Sequence, residues 1–253
     1  MELGLDDKNV FVTGATGGIG AAIARAFHAE HANVALGFHT DEERARGMAE
    51  ELRDHRATAL AVRYDLAETG SVRAAVETVT RQWGPVDVLV ACAVRWHTPE
   101  LRAGRFEDAP ARLWEPVVQD NITATVHTAQ AVIPGMRARG WGRIVLLSSH
   151  VARDGGPGLE FYGAAKAALE GFARSLAHDV GRDGILVNLV SPGLVSTERV
   201  LAKLPAELRE REQQRTPTGV ISSPDSVARA VVFLSSAAND NITAETVTVS
   251  GGR

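Results

Sequence analysis

The sequence predicts an α/β fold, one open, doubly wound sheet of seven mainly parallel strands with helices on both faces. Three observations carry that expectation. Short apolar, β-branched runs alternate with helical stretches from end to end, the pattern of repeated strand-helix units that builds a parallel sheet. Central runs such as Val86-Asp-Val-Leu-Val90 are nearly apolar throughout instead of alternating, as befits strands buried on both faces. The 253 residues, 45% hydrophobic and 23% charged, suffice for one domain with a sizeable core, and no Pro/Gly/Ser linker or charge block divides them.

The elements follow in order. A strand at 9–13 runs into Thr13-Gly14-Ala15-Thr16-Gly17-Gly18-Ile19-Gly20, which leads directly into an apolar helix at 19–30. Glycines at a strand-to-helix turn let the backbone approach a pyrophosphate, and the helix N-terminus offers free N–H groups and the positive end of its dipole. That predicts a dinucleotide, with Gly14, Thr16, Gly17, Gly18 and Ile19 around its phosphates. A second strand at 34–38 ends in Gly37-Phe38-His39-Thr40, where a site selecting NAD would set a carboxylate against the ribose 2′-hydroxyl. None is there. Asp41 precedes Glu42, Glu43 and a helix at 41–55 and reads as its N-cap. His39 and Thr40, with Arg44 one turn on, are therefore candidates for a 2′-phosphate, and NADP(H) is expected over NAD(H). After a third strand at 58–62, Asp65 has two readings, an acceptor for an adenine amino group or a cap for the helix at 71–83.

A fourth strand at 86–90 is followed by Ala91-Cys92-Ala93-Val94 and, further on, a long helix at 112–139. The fifth strand, 144–147, ends in Ser148-Ser149, at the carboxyl edge where open α/β sheets bind ligands. The next helix, 161–180, opens with Tyr162-Gly-Ala-Ala-Lys166, and residues four apart share one face, which sets an ammonium beside a phenol. A tyrosine near its ordinary pKa of about 10 is a poor acid-base group at neutral pH, and a fixed positive charge nearby favours its anion. The chain has only two tyrosines, and a chance pairing with one of its few lysines at this spacing is expected about 2% of the time. A sixth strand at 186–190, a helix at 224–234 and a seventh strand at 246–249 complete the pattern. Residues 198–215 are rich in Arg and Glu with little apolar stripe. Their place beyond a strand end suits a mobile substrate lid spanning about 194–218, and equally a solvated surface helix.

Composition narrows the function. A formal net charge of −4 supplies no basic field, so no nucleic-acid partner is expected. The single cysteine, Cys92, leaves no internal disulfide and none of the usual cysteine zinc sites, and no metal is expected. Glu2, Asp6, Asp7 and Lys8 interrupt what an export signal would need, and no run approaches the length of a membrane helix, so a cytoplasmic protein without a membrane partner is predicted.

Taken together, the loop from Thr13 to Gly20, Asn121 within a helix, Ser149 placed 13 residues before Tyr162, Lys166 and Ser191-Pro192-Gly193 resemble the short-chain dehydrogenase/reductase family, over essentially the whole chain. Within that family, a Rossmann-type fold, the chain looks most like the group of 3-oxoacyl-carrier-protein reductases and polyketide ketoreductases. The resemblance implies a catalytic tetrad of Asn121, Ser149, Tyr162 and Lys166. In it Tyr162 protonates a carbonyl oxygen, Ser149 orients that oxygen, Lys166 binds the nicotinamide ribose and lowers the tyrosine pKa, and Asn121 holds a water. It also implies cofactor contacts at Leu66, Ala93, Pro192, Gly193, Val195 and Thr197, and a homo-oligomer, dimer or tetramer. One departure stands out. The family's Asn-Asn-Ala-Gly is here Ala91-Cys92-Ala93-Val94, which loses side-chain hydrogen bonds in the sheet centre and bars a positive φ at Val94; Cys92 reads as a small buried residue.

The segments expected to line a substrate cleft are Arg95-Trp96-His97, His150 to Arg153, Leu159 to Phe161 and Leu194 to Arg199. Trp96, Phe161 and Leu194 would form an apolar wall, with Arg95, His97 or His150 meeting a phenolate or carboxylate. That predicts NADPH-dependent reduction of a bulky, polycyclic aromatic ketone of polyketide type. Two alternatives remain. One is 3-oxoacyl reduction of fatty-acid type, with Arg137, Arg139 and Arg143 docking an acyl carrier protein. The other is a cofactor-sensing protein without catalysis, which would be expected to lose Tyr162 or Lys166.

Overall fold

The structure, a computed structural model, describes residues 2–253. Among them are seven strands: β1 (Asn9–Thr13), β2 (Asn33–Phe38), β3 (Ala59–Arg63), β4 (Val88–Ala91), β5 (Gly142–Leu147), β6 (Ile185–Pro192) and β7 (Thr246–Val249). The helices are α1 (Gly18–Ala29), α2 (Glu42–Glu51), α3 (Thr69–Trp83), α4 (Pro99–Ala103), α5 (Ala111–Arg139), α6 (Val151–Asp154), α7 (Glu160–Val180), α8 (Glu198–Leu201), α9 (Ala206–Arg215) and α10 (Pro224–Ser235). The sheet runs β3-β2-β1-β4-β5-β6-β7 and every neighbouring pair is parallel.

The apolar runs are explained by what lies on each face. Val10, Val12, Val34, Leu36, Val88, Val90 and Val145 point to one side and pack with α1 and α10, while Phe11, Ala35, Leu89, Ile144, Leu146 and Leu189 point to the other and meet α3, α5 and α7. Strand order reverses at β1, which pairs with β2 on one side and β4 on the other. The crevice beyond the carboxyl ends of those strands is where such sheets hold ligands.

Some boundaries moved for local reasons. The second helix ends at Glu51, short of 55, because the Asp54 carboxylate accepts from the N–H groups of Arg56 (2.7 Å) and Ala57 (2.8 Å) and turns the chain. β4 begins at Val88, two residues late; the Asp87 side chain instead ties this entry to the Asn9 N–H at 2.9 Å and to Arg139 at 2.9 Å. Residues 198–215 form two helices, and α9 buries none of its side chains.

The arginines read as a docking patch are already committed. Arg143 is buried, donating to the carbonyls of Gly142, Gly184, Ser236 and Asn239 and lying 4.5 Å over the Trp141 ring. Arg137 pairs with Asp179 and Asp183, and Arg139 with Asp87 and the Pro85 carbonyl. Apart from Gly142, these partners are distant in sequence, so the spacing of the three arginines could not show that Arg143 is unavailable to a carrier protein.

Candidate active site

The glycine loop has the geometry a pyrophosphate needs. Gly14 has φ +67, and a Cβ there would come 2.8 Å from the Ala93 Cα. A Cβ on Gly18 would meet the Thr197 methyl at 2.7 Å, and one on Gly20 would meet the Gly14 carbonyl at 2.3 Å. The loop is thus pressed between the segments that follow β4 and β6, with Gly14 against Ala93 and Gly18 against Thr197. Gly17 is the N-cap of helix α1 and brings no capping side chain, and the first turn holds no acidic residue, so the N–H groups of that turn and the dipole end are left for an anion. These residues fit a dinucleotide. Pro192 ends β6 and Gly193 donates to the Val249 carbonyl at 3.0 Å, which fixes the start of the crossing segment.

At the far end of the crevice Asp41 is the N-cap, accepting from the Arg44 N–H at 3.2 Å. Asp65 is neither free nor the helix cap, a place taken by Glu68. One carboxylate oxygen accepts from the Ala67 N–H at 3.0 Å, and the other faces His39 Nε2 at 3.0 Å and Arg63 at 3.6 Å. Leu66 is half-buried beside it and Thr40 is exposed. Arg63 was missed in the sequence. Its register opposite Phe38, the last residue of β2, is what places it beside His39.

Tyr162, Ser149, Lys166 and Asn121 are all buried, with Ser149 just past β5 and Tyr162 and Lys166 on the first turns of α7. Burial pushes the Tyr162 pKa up to about 12, against a smaller downward pull from the Ser149 hydroxyl. Lys166 is pushed down to about 8 by the same desolvation; its Nζ donates to the Leu147 carbonyl at 2.7 Å and lies 5.9 Å from the centre of the Tyr162 ring. The expected lowering of the phenol pKa by this ammonium is not seen: the downward pull comes from Ser149, and burial outweighs it. Asn121 Nδ2 donates to Val117 O (2.7 Å) within α5 and to Arg95 O (2.9 Å), and its Oδ1 accepts from the Arg95 N–H at 3.0 Å.

The altered motif after β4 has a local replacement for its lost side-chain bonds. The Thr13 hydroxyl accepts from the N–H groups of both Cys92 and Ala93 at 3.0 Å. Val94 keeps a negative φ. Cys92 is half-buried, and desolvation of its thiol pushes the pKa up to about 11 against the pull of Lys166, in keeping with an unactivated residue.

Two aromatic stacks flank the start of α7. Trp96 lies on Tyr162 with ring centres 4.9 Å apart and planes 17° from parallel, and His97 stands edge-on to the indole at 6.0 Å. Phe161 is turned away into a separate column between Trp114 (5.0 Å) and Phe106 (5.6 Å). Leu194 lines a small cavity with His150, Glu212 and Arg253, so the three-residue wall expected from sequence is divided among different places. Arg95 is held by Asp120 at 2.6 Å, which removes it as a free cation for substrate.

Comparisons with known proteins agree with this geometry. A family model described as enoyl-(acyl carrier protein) reductase matches residues 14–253. The chain is 34% identical to the 3-oxoacyl-[acyl-carrier-protein] reductase of Aquifex aeolicus (strain VF5), over 100% of this chain and 99% of that protein. Among solved structures it resembles a 7α-hydroxysteroid dehydrogenase complexed with NADH and 7-oxoglycochenodeoxycholic acid, with TM-score 0.91 and 29% identity over 99% of this chain and 96% of that one. It also resembles a blue fluorescent protein from a metagenomic library in complex with NADPH, with TM-score 0.87 and 32% identity over 98% of each chain.

Proposed function

The chain belongs to the short-chain dehydrogenase/reductase family of oxidoreductases, and from that premise we propose that it reduces a ketone to an alcohol with NADPH. The substrate we propose is bulky, a polycyclic aromatic ketone of polyketide type. The observation that carries the reaction class is the buried Tyr162, with the Ser149 hydroxyl acting on its phenol and Lys166 one turn further along the same helix. A bound nicotinamide supplies the hydride that goes to the carbonyl carbon. Ser149 orients the carbonyl oxygen, and Tyr162 gives its phenolic proton to that oxygen, so the products are an alcohol and the oxidised nicotinamide. Lys166 holds the nicotinamide ribose and stabilises the phenolate formed in that step. Asn121 fixes the helix and the Arg95 segment and holds the water that returns the proton. Gly14, Thr16, Gly17, Gly18 and Ile19 hold the pyrophosphate, Asp65 and Leu66 the adenine end, Ala93, Pro192 and Gly193 the ribose side, and Val195 and Thr197 the carboxamide. His39, Thr40 and Arg63 hold the 2′-phosphate that favours NADP(H) over NAD(H), supported by the absence of a free carboxylate at the end of β2.

A second reading is 3-oxoacyl reduction on an acyl carrier protein, favoured by the named activity of the Aquifex relative. The retained Tyr162 and Lys166 speak against a non-catalytic sensor. Residues 194–218 serve as the substrate lid. The protein works in the cytoplasm as a dimer or tetramer, supported by an open apolar groove between α5 and α7 that includes Val126, Ile133, Phe172 and Leu176. Among the described residues no helix is long and apolar enough to cross a membrane. Following NADPH oxidation with a panel of ring ketones and 3-oxoacyl thioesters tests the reading: turnover on ring ketones is expected, and a higher kcat/KM on the thioesters would favour the second.

A further inference from the structure

The reacting residues are largely buried, with Tyr162 5% exposed, Ser149 8% and Lys166 3%, and the Trp96 indole covers one face of the Tyr162 ring, so a ketone that lies over that face must take the indole's place. The outer ring of that stack is Trp96, 49% exposed and lying face to face on Tyr162. Its backbone root is fixed, since Asn121 clamps both the N–H and the carbonyl of Arg95 and Asp120 holds the Arg95 guanidinium. What is left to move is the indole itself, by side-chain torsion, and half-exposed side chains change rotamer freely.

We propose that Trp96 is the specificity-determining residue of this site, a ring gate that a substrate must displace from Tyr162 and that selects planar, fused-ring ketones. The inference rests on the ketone-reductase reading above. Displacing the indole breaks one ring-on-ring contact. A planar fused-ring ketone restores such a contact with the displaced indole, so admission is an exchange of one stack for another. A saturated ring or a flexible acyl chain restores nothing and bears the whole loss.

This has an unusual sign: removing a residue at the site should improve the poor substrates. The matched probes are α-tetralone, benzo-fused and planar, and 1-decalone, its saturated counterpart. Exchange of one aromatic pair corresponds to roughly 2- to 13-fold. Trp96→Ala is expected to raise kcat/KM for decalone by that factor and leave tetralone nearly unchanged, with Trp96→Phe in between. A decalone rate that falls or stays level in Trp96→Ala overturns the gate. The same ratio is read without chemistry as ketone Kd on the NADPH-loaded Tyr162→Phe background, where the ring and its stack persist. Turnover of both ketones with no change of ratio in either assay overturns the gate and leaves the reductase reading standing. A shifted Kd ratio with no turnover by the wild type supports the gate and overturns the reductase reading.

Discussion

Thr13→Val removes one hydroxyl from a buried position and keeps nearly the same volume. The Cys92 N–H also has the Val90 carbonyl at 3.1 Å, so it keeps a partner, whereas the Ala93 N–H depends on the Thr13 oxygen. Leaving one buried N–H without an acceptor costs about 1–3 kcal/mol. For a chain of this size that corresponds to a fall in Tm of roughly 2–12 °C. Because Gly14 packs directly on Ala93, the same change should loosen the cofactor crevice and weaken NADPH binding. Thermal melting with and without NADPH, together with a fluorescence titration, measures both effects, and Thr13→Ser should restore both. A Thr13→Val protein with unchanged Tm and unchanged NADPH Kd would refute the argument that this hydroxyl replaces the side-chain bonds missing after β4.

For pH, Lys166 sits at about 8, below its ordinary value, so its charge is present below that pH and lost above it. Tyr162, raised to about 12, remains a proton donor throughout. The kcat/KM for reduction should therefore fall as pH rises through about 8, and a profile flat to the limit of protein stability would contradict the assignment. At the other end of the crevice, His39→Ala and Arg63→Ala should each weaken NADPH roughly 3- to 10-fold and leave NADH unaffected, a modest effect because both side chains are about 60% exposed. Equal affinities for NADPH and NADH in the wild type would remove the 2′-phosphate site.

The parts legible in the sequence are those that local spacing encodes. Gly14 to Gly20 lie between a strand and a helix that are contiguous in the chain, and Tyr162 and Lys166 share one helical face by arithmetic alone. The sheet could be read because burial on both faces leaves near-continuous apolar runs. Contacts made by chain segments meeting in space were not legible. Arg63 reaches His39 through the β2-β3 register, and Asn121 clamps Arg95 across 26 residues of chain. Arg143 owes its burial to carbonyls at residues 142, 184, 236 and 239. The stacking of Trp96 on Tyr162 is of the same kind, since nothing in the spacing of a cleft residue and a catalytic tyrosine shows ring on ring.

The central claim is that Tyr162 is the proton donor of a ketone reduction, and its most direct test is Tyr162→Phe. That variant keeps the ring, the Trp96 stack and the packing around it, and loses only the hydroxyl. Ketone-dependent NADPH oxidation and NADPH Kd should be measured together on the same preparation. The account requires turnover to disappear while NADPH affinity stays close to that of the wild type. Full kcat in the phenylalanine variant would contradict it.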